Sequence, residues 1–326
     1  MRSIIVGTGS YAPDKILTNA DLEKMVETND QWIVERTGIR ERHIAAPEQA
    51  TSDLSVVAAR RALEMARLDA KDVEMIVVGT VTPDYPFPSV ATLVQAGLGN
   101  KKAFAFDVSA ACAGSIYALA VADRFVTTGA VRNALVIGAD TLSRITDWKD
   151  RNTCILFGDA AGAVVLKASD DPRRGLSTAR LHADGAYASI LYQPGGGSRM
   201  PITEQVLKDR KHYLFMKGQE VFKVAVRALE ENCREVLAAE KLAPSDVAHV
   251  IAHQANKRIL DATLQRLEIP PSRCWMNLEK YGNTSAASLP TTLDEANRAG
   301  WFKPGDVILL MAIGGGLAWG AGILRW

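Results

Sequence analysis

The sequence has few cysteines, and none of their spacings would build a disulfide framework or a metal site. Its four cysteines, Cys112, Cys154, Cys233 and Cys274, lie far apart, without a Cys-x-x-Cys pair or a histidine at ligand spacing. We therefore expect no structural zinc or other metal and no set of disulfides. A functional cysteine in this chain would act as a thiolate.

Excess charge and long apolar segments are also missing. The 38 Lys and Arg residues against 37 Asp and Glu residues give a net charge of +1, so no overall field attracts nucleic acid or an anionic membrane. The most apolar helical segment, residues 115–126, is interrupted by Asp123 and Arg124, which excludes a membrane span. The apolar run at residues 4–6 is too short for a signal peptide. These absences predict a cytosolic protein that would meet an anionic partner through a local basic patch.

Short apolar segments alternate with amphipathic ones along the chain, which is typical of a layered α/β protein. The predicted strands lie at residues 4–6, 75–78, 103–106, 134–137, 163–166, 247–252 and 307–311. The predicted helices lie at residues 53–67, 116–128, 219–240 and 286–298.

The order strand, helix, strand, turn, helix, strand occurs twice. Residues 72–79 resemble 246–253, residues 104–115 resemble 275–286, and residues 132–138 resemble 305–311. This alignment places Cys112 opposite Asn283, each at a turn between a strand and a helix. A repeat of this length predicts a duplicated domain with pseudo-twofold symmetry, divided into residues 1–173 and 174–326. The alternative is a chance likeness between two α/β segments.

Three residues at such turns are candidates for covalent chemistry. Cys112 lies just before a predicted helix, whose N-terminal dipole we expect to lower the pKa of the thiol. His253 follows the predicted strand at residues 247–252, and Asn283 lies in a turn rich in small residues. Each alone is more often structural, and Cys112 could simply pack. Their convergence across the pseudo-twofold axis would favour nucleophilic acyl chemistry.

Two further segments are candidate binding sites, and each has an alternative interpretation. Three consecutive glycines at residues 314–316 favour close approach of backbone N–H groups to an oxyanion. Phosphate binding is disfavoured, because the chain has no Gly-x-x-x-x-Gly-Lys-Ser/Thr motif and residues 7–9 form an incomplete dinucleotide fingerprint. Residues 30–42 combine Trp32 with three arginines, typical either of a solvated helix face or of a clasp for an adenine ring and phosphates.

Several segments together resemble the β-ketoacyl-acyl-carrier-protein synthase III family, the initiating condensing enzymes of bacterial fatty-acid synthesis in the thiolase superfamily. The segments are residues 7–11, 18–26, 32–44, 110–114, 157–162, 253–256, 281–288 and 314–316. The resemblance implies a thiolase-like α/β fold, in which two pseudo-symmetric βαβαβαββ halves form a layered αβαβα sandwich. It also implies a homodimer that needs no cofactor and uses coenzyme A thioesters as substrates.

The resemblance further implies roles for individual residues. Cys112, His253 and Asn283 would form a catalytic triad, with an oxyanion hole made by the backbone N–H groups of Cys112 and Gly315. Phe87 would cross the dimer interface to close the partner's acyl pocket. The other implied contacts are to coenzyme A or pantetheine, for Thr28, Trp32, Arg36, Arg151, Gly218, Phe222, Ala255 and Asn256, and to the acyl carrier protein, for Lys223, Gln254 and Arg258.

The implied reaction transfers a short acyl group, such as acetyl, from acyl-CoA to Cys112 and condenses it with malonyl-acyl carrier protein. A secondary-metabolism acyl-CoA condensing enzyme shares the Cys, His and Asn set and is the main alternative. A degradative thiolase would need a second cysteine beside Gly314, and an elongating synthase a histidine in place of Asn283. A cysteine hydrolase or a non-catalytic carrier-protein-binding module are alternatives of other classes. Residues 187–213 match the family least well and are interpreted as a loop at the tunnel edge.

Overall fold

The computed structural model describes residues 1–326. Its strands are β1 (Arg2–Tyr11), β2 (Lys15–Thr18), β3 (Glu41–Ile44), β4 (Met75–Gly79), β5 (Phe104–Val108), β6 (Asn133–Thr141), β7 (Asp159–Ser169), β8 (Gly175–Ala183), β9 (Leu191–Tyr192), β10 (Phe215–Met216), β11 (His249–Ala252), β12 (Val307–Gly314) and β13 (Ala318–Arg325). Its α-helices are α1 (Asn19–Leu22), α2 (Asp30–Thr37), α3 (Thr51–Ala66), α4 (Val90–Gly97), α5 (Gly114–Thr127), α6 (Arg151–Cys154), α7 (Glu204–Lys208), α8 (Gly218–Ala239), α9 (Lys257–Leu267), α10 (Leu278–Tyr281) and α11 (Ser288–Arg298). Turns of 3-10 helix span Ala70–Asp72, Ala111–Ala113, Leu142–Arg144, Gly185–Ile190, Pro244–Asp246, Pro271–Arg273 and Ser285–Ala287.

The two large sheets repeat one arrangement of strands. The five-stranded sheet has the order β1-β7-β6-β4-β5, and the four-stranded sheet has the order β8-β13-β12-β11. In both sheets the first two pairs in this order are antiparallel and the third pair, β6–β4 or β12–β11, is parallel. Strand β5 pairs in parallel with β4. Where a counterpart of β5 would extend the second sheet, only a single parallel bridge joins Cys274 to Val250. This repetition agrees with the predicted pseudo-symmetry, and the division at residue 173 stays a prediction.

Helices α5 and α11 form the middle layer between the sheets. On α5, Ile116 and Leu119 recur at helical spacing and share one buried cluster with Leu289 and Leu293 of α11 and with side chains of both sheets. Helices α3 and α4 cover the outer face of the five-stranded sheet, and α8 and α9 cover the outer face of the four-stranded sheet. The result is the predicted αβαβα sandwich. None of the helices combines the length and apolar character needed to span a membrane.

Two corresponding turns connect the sheets to the middle helices. The turn Ala111–Ala113 precedes α5 and the turn Ser285–Ala287 precedes α11, and each begins with a residue in the left-handed region, with φ of 46° at Ala111 and 53° at Ser285. Cys112 is therefore the counterpart of Ala286, and the predicted correspondence between Cys112 and Asn283 is wrong. The reason is helix α10, an extra helix that lies before the second turn and shifts an ungapped alignment of the two halves.

Candidate active site

The backbone around Cys112 is closely packed. The turn after β5 places the Cys112 side chain at the start of α5 with only 9% of the residue exposed. Gly314, at the end of β12, lies directly against this turn: a Cβ atom there would overlap the backbone nitrogen of Cys112 and lie 2.9 Å from that of Ala113. Glycine is thus required at residue 314, because any side chain would displace the cysteine.

His253 and Asn283 are held by their backbones, and their polar side-chain atoms are left free. The His253 N–H donates to the Met311 carbonyl oxygen at 2.8 Å, which fixes the residue just beyond β11. Neither ring nitrogen of His253 has a hydrogen-bond partner. The Asn283 N–H donates to the Leu156 carbonyl oxygen at 2.8 Å, and its side-chain Oδ1 accepts from the Ser285 N–H at 2.9 Å. This leaves the Asn283 Nδ2 as a free donor.

One cavity of about 570 Å³ brings the three predicted residues together. Cys112, His253 and Asn283 all line it, as do Gly314 and Gly315, and 22 of its 33 lining residues are hydrophobic. The residues predicted to form the pantetheine tunnel, Gly218, Phe222, Ala255 and Asn256, also line this cavity. So do Ala188, Leu191, Tyr192 and Gln193 of the segment interpreted as a tunnel-edge loop. The sequence therefore predicted which chain segments form this site.

Burial sets the protonation states at the site. It raises the pKa of the Cys112 thiol to about 12, while the nearby Ser285 hydroxyl favours the thiolate and the Asp140 charge disfavours it. The expected lowering of this pKa is wrong in direction, because the loss of hydration on burial is the largest influence on the thiolate. Burial also lowers the pKa of His253 to about 4. His253 is thus neutral at pH 7, with one N–H donor and one acceptor nitrogen.

The residues predicted to form an oxyanion hole have free backbone donors. Neither the Cys112 N–H nor the Gly315 N–H donates to a backbone carbonyl oxygen. A Cβ atom on Gly315 would lie 2.8 Å from the Leu191 carbonyl oxygen, and Gly316 has a φ of 135°, so the glycines permit a path that side chains would block. Two unpaired N–H groups beside a nucleophile can stabilise a developing oxyanion.

Three of the four predicted adenine and phosphate contacts, Trp32, Arg36 and Arg151, lie together near the tunnel wall. The guanidinium groups of Arg151 and Arg36 lie 4.7 and 5.3 Å from the centre of the Trp32 ring. The Thr28 hydroxyl is buried without a partner. Asn256, which lines the cavity, donates from Nδ2 to the Arg36 carbonyl oxygen at 3.0 Å. A direct hydrogen bond therefore links the cluster of Trp32, Arg36 and Arg151 to a residue that lines the cavity.

The predicted contacts to partners are only partly on the surface. Lys223 and Arg258 are exposed, and the Arg258 guanidinium lies 5.8 Å from the centre of the Phe222 ring. Phe87 is 84% exposed. Gln254, however, is fully buried, and its side chain donates to the Trp275 carbonyl oxygen and accepts from two backbone N–H groups. The prediction that Gln254 belongs to an exposed patch is wrong, because its amide is committed to holding the segment before α10.

The sequence interpretation assigned no role to two buried residues beside the nucleophile. Ser285 lines the cavity, and Asp140 lies behind it at the end of β6. The only signal for Ser285 was its place in the segment 281–288, which carried the resemblance. No sequence pattern pointed to Asp140. No cluster of His, Cys, Asp and Glu residues is arranged to hold a metal ion.

Comparison with known proteins identifies the family. Residues 106–190 match the family model described as 3-oxoacyl-[acyl-carrier-protein] synthase III, and residues 237–326 match the model of its C-terminal part. A β-ketoacyl-[acyl-carrier-protein] synthase III from Caldanaerobacter subterraneus is 54% identical over 99% of this chain and 97% of the relative.

Solved structures agree with this result. The crystal structure of 3-oxoacyl-[acyl-carrier-protein] synthase III from Aquifex aeolicus has a TM-score of 0.93 and 48% identity, covering 99% of this chain and 100% of that one. A priming β-ketosynthase of a polyketide biosynthetic pathway has a TM-score of 0.92 at 34% identity, covering 99% and 96%. The chain belongs to the β-ketoacyl-[acyl-carrier-protein] synthase III family.

Proposed function

We propose that this protein condenses a short acyl-CoA, in the first instance acetyl-CoA, with malonyl-acyl carrier protein. The products are β-ketoacyl-acyl carrier protein, carbon dioxide and coenzyme A, and the reaction starts fatty-acid synthesis. The observation that carries the proposal is a single apolar cavity lined by one cysteine and two uncharged side-chain donors, Cys112 with His253 and Asn283.

In the first half-reaction, the Cys112 sulfur attacks the thioester carbonyl carbon of acyl-CoA. The neutral His253 ring has an unprotonated nitrogen that can receive the thiol proton as the sulfur attacks, although burial weakens this nitrogen as a base. The N–H groups of Cys112 and Gly315 stabilise the tetrahedral oxyanion. Coenzyme A then leaves as a thiolate and takes up the proton.

In the second half-reaction, malonyl-acyl carrier protein enters the vacated tunnel and loses carbon dioxide. The electron pair of the broken bond moves toward the thioester oxygen, where the N–H of neutral His253 and the Nδ2 of Asn283 donate hydrogen bonds. Both donors are uncharged, so they stabilise the enolate without protonating it readily. The carbanion attacks the acyl group, and the Cys112 thiolate leaves and takes a proton from solvent, which is the one proton that the overall reaction consumes.

The remaining site residues and the assembly belong to the same proposal. Trp32 with Arg36 and Arg151 would hold the adenine and phosphates of coenzyme A, assisted by Thr28. Lys223 and Arg258 would receive the acidic acyl carrier protein. Strand β5 lies at the edge of its sheet with Phe104 partly exposed, which supports a homodimer formed along this edge, with Phe87 entering the partner's acyl pocket. We place the reaction, which needs no cofactor, in the cytosol.

The test is the intact mass of the protein after mixing with acetyl-CoA and then with malonyl-acyl carrier protein. We expect one acetyl adduct in the wild type and in Cys233→Ser, a matched buried cysteine outside the cavity, and none in Cys112→Ser. The adduct should discharge as acetoacetyl-acyl carrier protein. An adduct formed only with longer acyl-CoA would favour the secondary-metabolism condensing enzyme. Release of free acid without condensation would favour the hydrolase.

A further inference from the structure

Ser285 has a buried hydroxyl without a partner at the reacting end of the cavity. The residue is 0% exposed, its Oγ makes no hydrogen bond, and it lines the same cavity as Cys112, His253 and Asn283. A buried hydroxyl without a partner is costly, so it calls for a functional explanation. The residue also holds a left-handed backbone conformation with φ of 53°, which is uncommon for a residue other than glycine.

The surroundings of Ser285 show which group lacks a donor. Asp140 already has several donors: its Oδ1 accepts from Thr80 Oγ1 at 2.9 Å and from the Val81 N–H at 2.8 Å, and its Oδ2 accepts from the Ala286 N–H at 3.2 Å. The Ser285 hydroxyl also opposes the rise that burial causes in the pKa of Asp140, so it is near enough to act on either group. The Cys112 sulfur has no such donors from side chains. Burial raises its pKa, and the Ser285 hydroxyl is the strongest of the influences that oppose this rise.

We propose that the Ser285 hydroxyl donates a hydrogen bond to the Cys112 sulfur when the sulfur carries negative charge, which makes Ser285 a fourth catalytic residue. The proposal rests on the proposed function of Cys112 as the nucleophile. The hydroxyl would act twice in a cycle, as the thiol ionises to attack acyl-CoA and as the thiolate leaves after condensation. It also offsets the Asp140 carboxylate, whose charge disfavours a thiolate.

Ser285→Ala is a clean test because it leaves the backbone unchanged. The N–H of residue 285 still holds Asn283 Oδ1, and alanine is tolerated in this conformation, since Ala111 adopts it in the corresponding turn with φ of 46°. The matched control is Ser115→Ala, which removes another buried hydroxyl without a partner, on α5 and outside the cavity.

The experiment measures alkylation of Cys112 by iodoacetamide at pH 8, followed by peptide mass mapping. We expect Ser285→Ala to slow alkylation about five- to tenfold, since a hydrogen bond to a charged group is lost and the higher thiol pKa is only partly compensated by nucleophilicity. Ser115→Ala should react at the wild-type rate. Because the probe needs no acyl-CoA, this result is independent of whether the acetyl adduct forms and discharges.

A second measurement separates this role from a structural one. In a Cys112→Ala background there is no sulfur to stabilise, so adding Ser285→Ala should leave decarboxylation of malonyl-acyl carrier protein unchanged. The proposal is overturned if Ser285→Ala alkylates at the wild-type rate. It is also overturned if Ser285→Ala lowers decarboxylation in the Cys112→Ala background by the same factor as it lowers alkylation of Cys112. Ser285 would then act by positioning Asn283.

Discussion

Acidification from pH 7 to pH 5 should destabilise the fold through His253. Burial lowers its pKa from 6.5 to about 4, so the unfolded chain binds a proton there at pH 5 and the folded protein does not. Above pH 6.5 the ring is neutral in both states and the stability is fully present. It is lost as the pH falls through 6.5 toward 4. At pH 5 the linkage amounts to about 2 kcal/mol of unfolding free energy.

The assay is urea unfolding of the wild type and of His253→Gln at pH 7 and pH 5. Glutamine has a polar side chain but does not titrate, and all other ionisable groups are common to the two proteins. The wild type should therefore lose about 2 kcal/mol more than the variant over this interval. Between pH 7 and pH 8 the difference between the two proteins should stay constant, which serves as the control.

Equal losses in the two proteins would refute the reasoning. That result would mean that water reaches the His253 ring in the folded protein and that its pKa is near that of an exposed histidine. The ring would then be partly charged at pH 6, and a neutral donor to the enolate would no longer follow from the structure. The stability measurement thus tests a condition of the mechanism without a substrate.

Four substitutions test other parts of the site. Asn283→Ala should lower decarboxylation of malonyl-acyl carrier protein by about two to three orders of magnitude and leave acetyl transfer intact, as measured by carbon dioxide release and adduct mass. Gly314→Ala should slow acylation about a hundredfold, because its methyl group displaces Cys112; an unchanged rate would mean that the turn yields freely. Trp32→Ala should raise KM for acyl-CoA about two- to fivefold at constant kcat, through loss of the cation–π contacts. Lys223→Glu should raise KM for malonyl-acyl carrier protein only, and the increase should shrink as salt is added.

The central strands and the longest helices were predictable because their apolar residues form continuous runs or recur at helical spacing. Strand β8 was not predicted, because polar residues such as Ser177 and Arg180 interrupt its apolar pattern. The predicted strand at residues 134–137 lies inside β6, all of whose residues are buried, as the continuous apolar run indicates. The helix predicted at residues 219–240 is α8 within one residue at each end. The failure was in alignment, since α10 is a short polar helix whose hydropathy does not stand out from a loop.

The site was predictable where residue type alone limits the chemistry, and not where it depends on burial. A cysteine, a histidine and an asparagine at turns between strands and helices could be named from the sequence, and the cavity brings them together. The sequence does not show that Cys112 is buried, so the expected direction of its pKa shift was wrong. Gln254 was predicted to be exposed for the same reason. Its amide is hydrogen-bonded to backbone groups more than twenty residues away in the chain, and the sequence does not show these contacts.

Burial of the cavity bears on three conditions of the proposed mechanism. It keeps Cys112 a thiol at rest, so in that mechanism the sulfur loses its proton only as it attacks, and the greater nucleophilicity of a thiolate of high pKa offsets only part of the cost of ionising it. It keeps His253 neutral, so one ring can accept the thiol proton in the first half-reaction and donate to the enolate in the second. The largely apolar lining also disfavours water beside the acyl-cysteine of the proposed mechanism, which favours condensation over hydrolysis. A more open site would lower the pKa of the thiol at the expense of the neutral histidine and the protected intermediate.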